Sequence, residues 1–142
     1  MANIIPFAFR GELLSGTHNF ANGGNSFKIA LYTSFAAYST GSTVYQTNNE
    51  VSSNNTGYTT AGKVLASQAV VSTGAVATVD FTDSTLTSAT FTANSAAIYN
   101  DTNGDKLCVI LDFGGNKTAT NGTFTISFPN PSTPANAIIS MA

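Results

Sequence analysis

His18 is the only histidine in the chain, and it lies in the stretch Gly11-Glu-Leu-Leu-Ser-Gly-Thr-His-Asn-Phe20. Arg10 precedes this stretch and Glu12 falls inside it. A histidine acting as a general base needs a partner and a nucleophile within reach. Serine and threonine are everywhere in this sequence, so their presence nearby carries no weight. The competing reading is structural. His18 and Asn19 would bond the backbone where a helix turns into a sheet, with Phe20 packing below. Arg10 and Glu12 are two positions apart and do not face each other on a helix. Docking is the expected role.

Three other groups could do chemistry. Asp101, Asn103 and Asp105 follow the first three positions of a calcium loop, and Asp112 falls at the twelfth. The sixth position should be glycine for the sharp bend, but it is Lys106, whose charge would oppose an ion. A hairpin tip accounts for the same residues, so no metal is expected. Asp80 and Asp83 are close enough to resemble paired carboxylates, but no Trp is present as a sugar platform and turn chemistry explains Asp83. Cys108 is the only cysteine, which excludes an internal disulfide and a CxxC metal site. In the apolar run Leu107-Cys-Val-Ile-Leu111 it reads as a small core residue. Asn54, Asn116 and Asn121 each begin a glycosylation sequon, as an Asn- and Thr-rich composition produces by chance.

The totals narrow the function classes. A chain of 142 residues fits one domain, residues 1–142, large enough to fold around its own core. Charged residues make up 8%, against about a quarter in an average soluble domain. Ser, Thr and Asn solvate the surface instead, and such a surface repels its neighbours weakly. Five scattered Lys and Arg with a net charge of −2 cannot build a basic stripe, so no nucleic-acid partner is expected. No apolar run approaches the length of a membrane span, and no cationic leader opens the chain, so neither membrane nor secretory signal is expected.

The elements that must position these residues are mostly strands. Met1 to Pro6 reads as an arm, followed by a short helix within about residues 1–16 that carries Phe7, Phe9, Leu13 and Leu14. Ser15-Gly16 supplies its stop. Asn22 to Asn25 is a loop. Phe27 to Thr33 alternates, with Phe27, Ile29 and Leu31 on one face and Lys28, Ala30 and Tyr32 on the other. Residues 34–62 form an elaborated polar loop region with one or two short strands, anchored by Tyr38, Val44, Tyr45, Val51 and Tyr58. Val64–Val71 and Ala75–Phe81 flank a turn at Ser72-Thr-Gly74. Leu86–Thr92 forms a further strand, and Ala96–Asn100 pairs with Lys106–Phe113 across the Asn103-Gly104 turn. Gly114-Gly115 ends that strand. Thr123–Phe128 alternates with Phe124, Ile126 and Phe128 inward, and prolines at 129, 131 and 134 break the chain before a terminal strand, Ala137–Met141. The reading is all-β: an antiparallel β-sandwich, jelly-roll-like or barrel-like, of about eight strands with one N-terminal helix.

The order of segments resembles a family of small virion structural proteins of tailed bacteriophages. The resemblance runs through Glu12–Phe20, Phe27–Ser34, Asn49-Glu-Val-Ser52 and Gly57-Tyr-Thr-Thr-Ala-Gly62. It continues through Val79-Asp-Phe81, Ala97–Asp101, Asp112-Phe-Gly114 and Gly122–Pro129, nearly the whole chain. Members often carry another Gly where Lys63 stands and a Trp near Leu86. The resemblance implies a non-enzymatic particle component, with no catalytic, cofactor-binding or metal-binding residue to carry over. It implies a virion location, assembly in the host cytoplasm, and other virion proteins as partners, the major capsid protein foremost. Decoration or cementing of the capsid surface is the first reading, with Ile4, Ile5 and Phe7 of a free arm clamping capsid subunits. Self-association is expected, because repeated weak contacts gain by avidity.

Two other classes compete. A tail or head-fibre component with a carbohydrate-binding or adhesive role would line a groove with exposed Tyr32, Tyr38, Tyr45 or Tyr58. A small hydrolase centred on His18 would lose turnover when His18 is replaced by Gln.

Overall fold

The computed structural model describes residues 3–142 of the chain. Seven strands form two antiparallel sheets, with one helix near the N-terminus. Among the described residues no helix is long and apolar enough to cross a membrane.

The helix α1, Phe7–Leu14, starts at Pro6, whose fixed φ suits a helix entry. It stops where the sequence says it should. Gly16 adopts φ +78°, its N–H donates to the Leu13 carbonyl, and the Thr17 N–H donates to the Glu12 carbonyl. These two bonds satisfy carbonyls that a helix end leaves open, and glycine takes the left-handed turn at no steric cost.

Seven strands follow: β1 (Phe27–Tyr32), β2 (Lys63–Val64), β3 (Ala69–Thr73), β4 (Val76–Asp80), β5 (Ser84–Asn100), β6 (Lys106–Ile126) and β7 (Ile139–Met141). The first sheet has the order β2-β1-β5-β6 and the second the order β3-β4-β7. The all-β antiparallel reading holds, with seven strands where about eight were expected, and two strand boundaries are corrected. Leu86–Thr92 and Ala96–Asn100 are parts of one strand, β5. Gly114-Gly115 does not end its strand, because β6 continues to Ile126. The register explains the continuity. Ala93 pairs with Lys117 and Ser95 with Asp112, so residues 113–116 bulge out while the ladder resumes on both sides. Conversely, the stretch Val64–Val71 is not one strand. Ser67, at φ +55°, separates β2 in the first sheet from β3 in the second.

The first sheet is covered on both faces, which is why its central strands are apolar all round. One face carries Phe27, Ile29, Leu31, Ile98 and Val109 against Val79, Phe81 and Ile139 of the second sheet side and Phe9 of α1. Phe20 stacks on Phe27 with ring centroids 4.3 Å apart. The other face carries Ala30, Tyr32, Ala97, Tyr99, Leu107 and Ile110 beneath residues 34–62. That segment contains a short 3-10 turn, Phe35–Ala37, and touches the sheet through isolated bridges, Val44 to Lys106 and Tyr32 to Glu50. It forms no strand of its own before Lys63.

The arm is not free from Asn3 onward. Ile4 exchanges two backbone hydrogen bonds with Ile110, and the Asn3 side-chain oxygen accepts from the Asp112 N–H. Ile4 and Ile5 pack against the two cores, whereas Phe7 is 61% exposed. Met1 and Ala2 lie outside the described residues.

Candidate functional site

The helix, β5 and β6 meet at His18. Its ring is held on both nitrogens. Nε2 lies 2.9 Å from Glu12 Oε2, and Nδ1 lies 3.1 Å from Asn100 Nδ2. The proton follows from the partners. Asn100 Oδ1 accepts from the Thr102 and Asn103 N–H groups, which turns the amide nitrogen toward His18. Nδ1 therefore accepts, and Nε2 carries the proton and donates to Glu12. Glu12 Oε1 accepts from Lys106 Nζ at 3.1 Å. One carboxylate on α1 thus reaches the loop after the helix and the first residue of β6.

Cys108 completes a geometry that sequence spacing could not show. Its Sγ lies 3.7 Å from His18 Nδ1. The residue faces His18 because of a bulge. Ile98 pairs with Val109 while Tyr99 pairs with Leu107, which leaves Cys108 as the extra residue of β6. Cys108 and Val109 then both join the core on the α1 side, against the strict alternation of a regular strand.

Glutamate, histidine and cysteine in line are the parts of a thiol nucleophile with its base. The environment turns them to another use. Cys108 is fully buried, and burial together with the Glu12 charge pushes its thiol well above the ordinary value, whereas thiol chemistry needs the thiolate. The His18 side chain is also fully buried, with Phe9 and Phe20 packed on it at ring-centroid distances of 4.9 and 6.2 Å. An apolar hollow of about 250 Å³ opens beside it, lined by Leu13, Phe20, Val70, Ala77, Val79, Ile139 and Met141, with His18 as the one ionisable group on its wall. Burial raises the Glu12 carboxyl, but its bonds to His18 and Lys106 outweigh that and hold it below the usual value. A carboxylate kept ionised between two donors is a fastener.

The docking role read from the sequence is what the geometry supports, by a different set of bonds. His18 bonds side chains, not the backbone. Asn100 and Cys108 join His18 from 82 and 90 residues away, Lys106 joins Glu12 from 94 away, and no local pattern announces them. Arg10 stands apart from Glu12, with its guanidinium 5.7 Å from the Phe7 ring centroid.

The other candidate residues diverge. Asp101 pairs with Lys28 at 3.0 Å, and the Asn103 amide donates to the Thr17 carbonyl. Gly104 and Asp105, at φ +69° and +56°, form the turn itself. Asp83 accepts from the Phe128 N–H at 2.8 Å, and Asp80 ends β4.

A second cluster centres on Glu50, which sequence reading passed over. Its two oxygens accept from the Tyr45 and Tyr58 hydroxyls, both at 2.6 Å, and Oε1 also accepts from the Ala61 N–H. The Tyr58 oxygen accepts from the Leu31 N–H of β1. The Tyr32 and Tyr38 hydroxyls share a bond of 2.6 Å, and the Tyr99 hydroxyl donates to the Ala61 carbonyl. All five tyrosines therefore fasten residues 34–62 to the first sheet. Tyr32, Tyr38 and Tyr58 are buried and Tyr45 is half-buried against Tyr99, so none of the four forms an exposed aromatic groove. A signal was present: Glu50 is the only charged residue between Lys28 and Lys63, among four tyrosines.

No protein-family model, curated protein or solved structure matches the chain.

Proposed function

We propose that this chain is a non-enzymatic structural component of a tailed-bacteriophage particle, most simply a decoration or cement protein on the capsid surface. The observation that carries the reading is where the chemistry-bearing side chains point. His18, Cys108 and Glu12 close on one another inside the fold, and Glu50 gathers tyrosines under a loop layer. The outward side offers apolar groups instead. Leu14 is 83% exposed, Phe7 61%, Val70 52% and Met141 50%. Leu14, Met141 and Val70 rim the hollows between α1 and the second sheet. Large apolar side chains grouped in this way belong to contacts with neighbours. The surface is otherwise hydroxyl- and amide-rich, with a net charge of −2, and copies can crowd on a particle without strong repulsion.

The test is to image purified particles that carry this chain, with an epitope tag on its C-terminus. The expected result is many copies at symmetry-related positions on the head exterior. Copies confined to the tail or to a head fibre would move the role there. Particles without the chain would refute the reading.

A further inference from the structure

Two open sheets have four outer edges, and three of them here are guarded. β2 is two residues long and carries Lys63. β7 is three residues long and shares a groove with Leu13 and Leu14 of α1. β6 is bridged by Ile4 and Val44 over its first half, and beyond that it has Lys117, the 113–116 bulge and a second register break near Asn121, at φ +45°. Shortness, charge, bulges and cover are the devices by which sheets avoid edge pairing.

β3 has none of them. Its five residues, Ala-Val-Val-Ser-Thr, pair with β4 without a register break. The strand holds no Gly, Pro or charge, and no charged residue occurs between Lys63 and Asp80. Among the described residues no strand or loop backbone pairs with its outer side. Val70 is half-exposed there, at the rim of the apolar hollow beside α1.

We propose that β3 is a homotypic docking edge, on which two copies of this chain pair antiparallel about a twofold axis through Val71. The two three-stranded sheets would then join into one of six. An unpaired ladder of N–H and C=O groups selects an extended strand as occupant. The edge itself favours its own copy. Being uncharged, it attracts neither a basic nor an acidic partner, and two identical copies meet without like charges. Pairing about Val71 sets Val71 against Val71 and each Val70 against a Ser72, so β-branched side chains meet and the exposed valine gains a cover. The contact is isologous and closes on itself, so it does not propagate into a fibre.

This deepens the particle reading, on which its biological sense rests, by naming the self-association surface. The experiment is sedimentation velocity on the full chain over a micromolar concentration series, comparing wild type, Ser72→Lys, Ser72→Glu and an equimolar mixture of the two. Circular dichroism establishes that each is folded. Across the axis the two side chains at position 72 sit diagonally, about 7–8 Å apart, so like charges repel and opposite charges attract. Wild type should dimerise, each variant alone should associate roughly tenfold more weakly or worse, and the mixture should recover the dimer. A wild-type monomer throughout, or a dimer indifferent to both charges, would overturn the proposal. If the position 72 variants misfold, Val71→Cys serves instead. It should give a disulfide-linked dimer and Val70→Cys should not, since only position 71 meets itself, with Cα atoms within disulfide range. Equal cross-linking at both positions would overturn it as well. A monomer that still decorates particles sinks this inference alone, whereas a β3-paired dimer absent from particles sinks only the function.

Discussion

His18 reads from the sequence as a docking residue, and the contacts of its ring fit that reading. A proton on Nε2 aimed at Glu12 and a lone pair on Nδ1 facing Asn100 fill both hydrogen-bonding positions of the ring. The charge in the cluster gives a testable pH dependence. Glu12 has a folded-state pKa below its unfolded value of 4.5, so the unfolded chain takes up the proton first as pH falls. Its contribution is complete above about 4.5 and is lost as pH drops through the lower, folded value. Glu12→Gln should therefore lower the thermal midpoint at pH 7 and do so progressively less below pH 4. A constant difference from wild type across that range would mean that the carboxylate charge contributes nothing. Glu12 and His18 were visible as a local pair of ionisable groups. Their partners were not, because Asn100, Lys106 and Cys108 come from the far hairpin and a bulge sets the facing of Cys108.

At the scale of elements, backbone contacts decide what may be changed. Gly62 sits at φ +83°, and a Cβ there would lie inside contact distance of the Ile29 carbonyl, in the middle of β1. Gly114 also has a positive φ, +71°, but nothing lies near its missing side chain. Gly62→Ala should cost on the order of 3 kcal/mol, because strain and a backbone clash add, whereas Gly114→Ala should cost only about 1 kcal/mol from strain alone. Urea denaturation of the two variants tests the contrast, and equal losses would refute the close approach. The periodic elements were legible. Phe27, Ile29 and Leu31 face one core and Ala30 and Tyr32 the other, as alternation predicts. The breaks were less so. Paired glycines read as a strand end, yet a partner strand on the other side carries the ladder across them.

Across the whole molecule, the first sheet is a central layer between the second sheet with α1 and the polar segment 34–62. What holds the polar segment down is phenolic. Burial and then the hydrogen bond to Glu50 raise Tyr45 and Tyr58, and burial raises Tyr32, Tyr38 and Tyr99 most. A group with a raised folded-state pKa stabilises the fold fully below its unfolded value, here 10.0, and that stabilisation is lost as pH rises through the folded value. Tyrosinate absorbance should therefore stay low just above pH 10 and appear together with loss of the β-sheet circular dichroism signal. Independent ionisation of several tyrosines in a protein that stays folded would show that the network is not a fastener.

The sequence alone determined the local and periodic features. The helix stop at Gly16, the alternation of β1, the turn between β5 and β6, and an all-β chain with few charges all depend on residues close in sequence, where backbone sterics and period-two burial act directly. Tertiary structure decided the rest. It determined that the arm from Asn3 is tied to β6, that Tyr45 and Tyr58 converge on Glu50, and that a histidine, a glutamate and a cysteine share one buried site. Such contacts join segments tens of residues apart, and the free energy that selects them comes from mutual burial and from satisfying polar groups inside the core, which no single stretch of chain encodes.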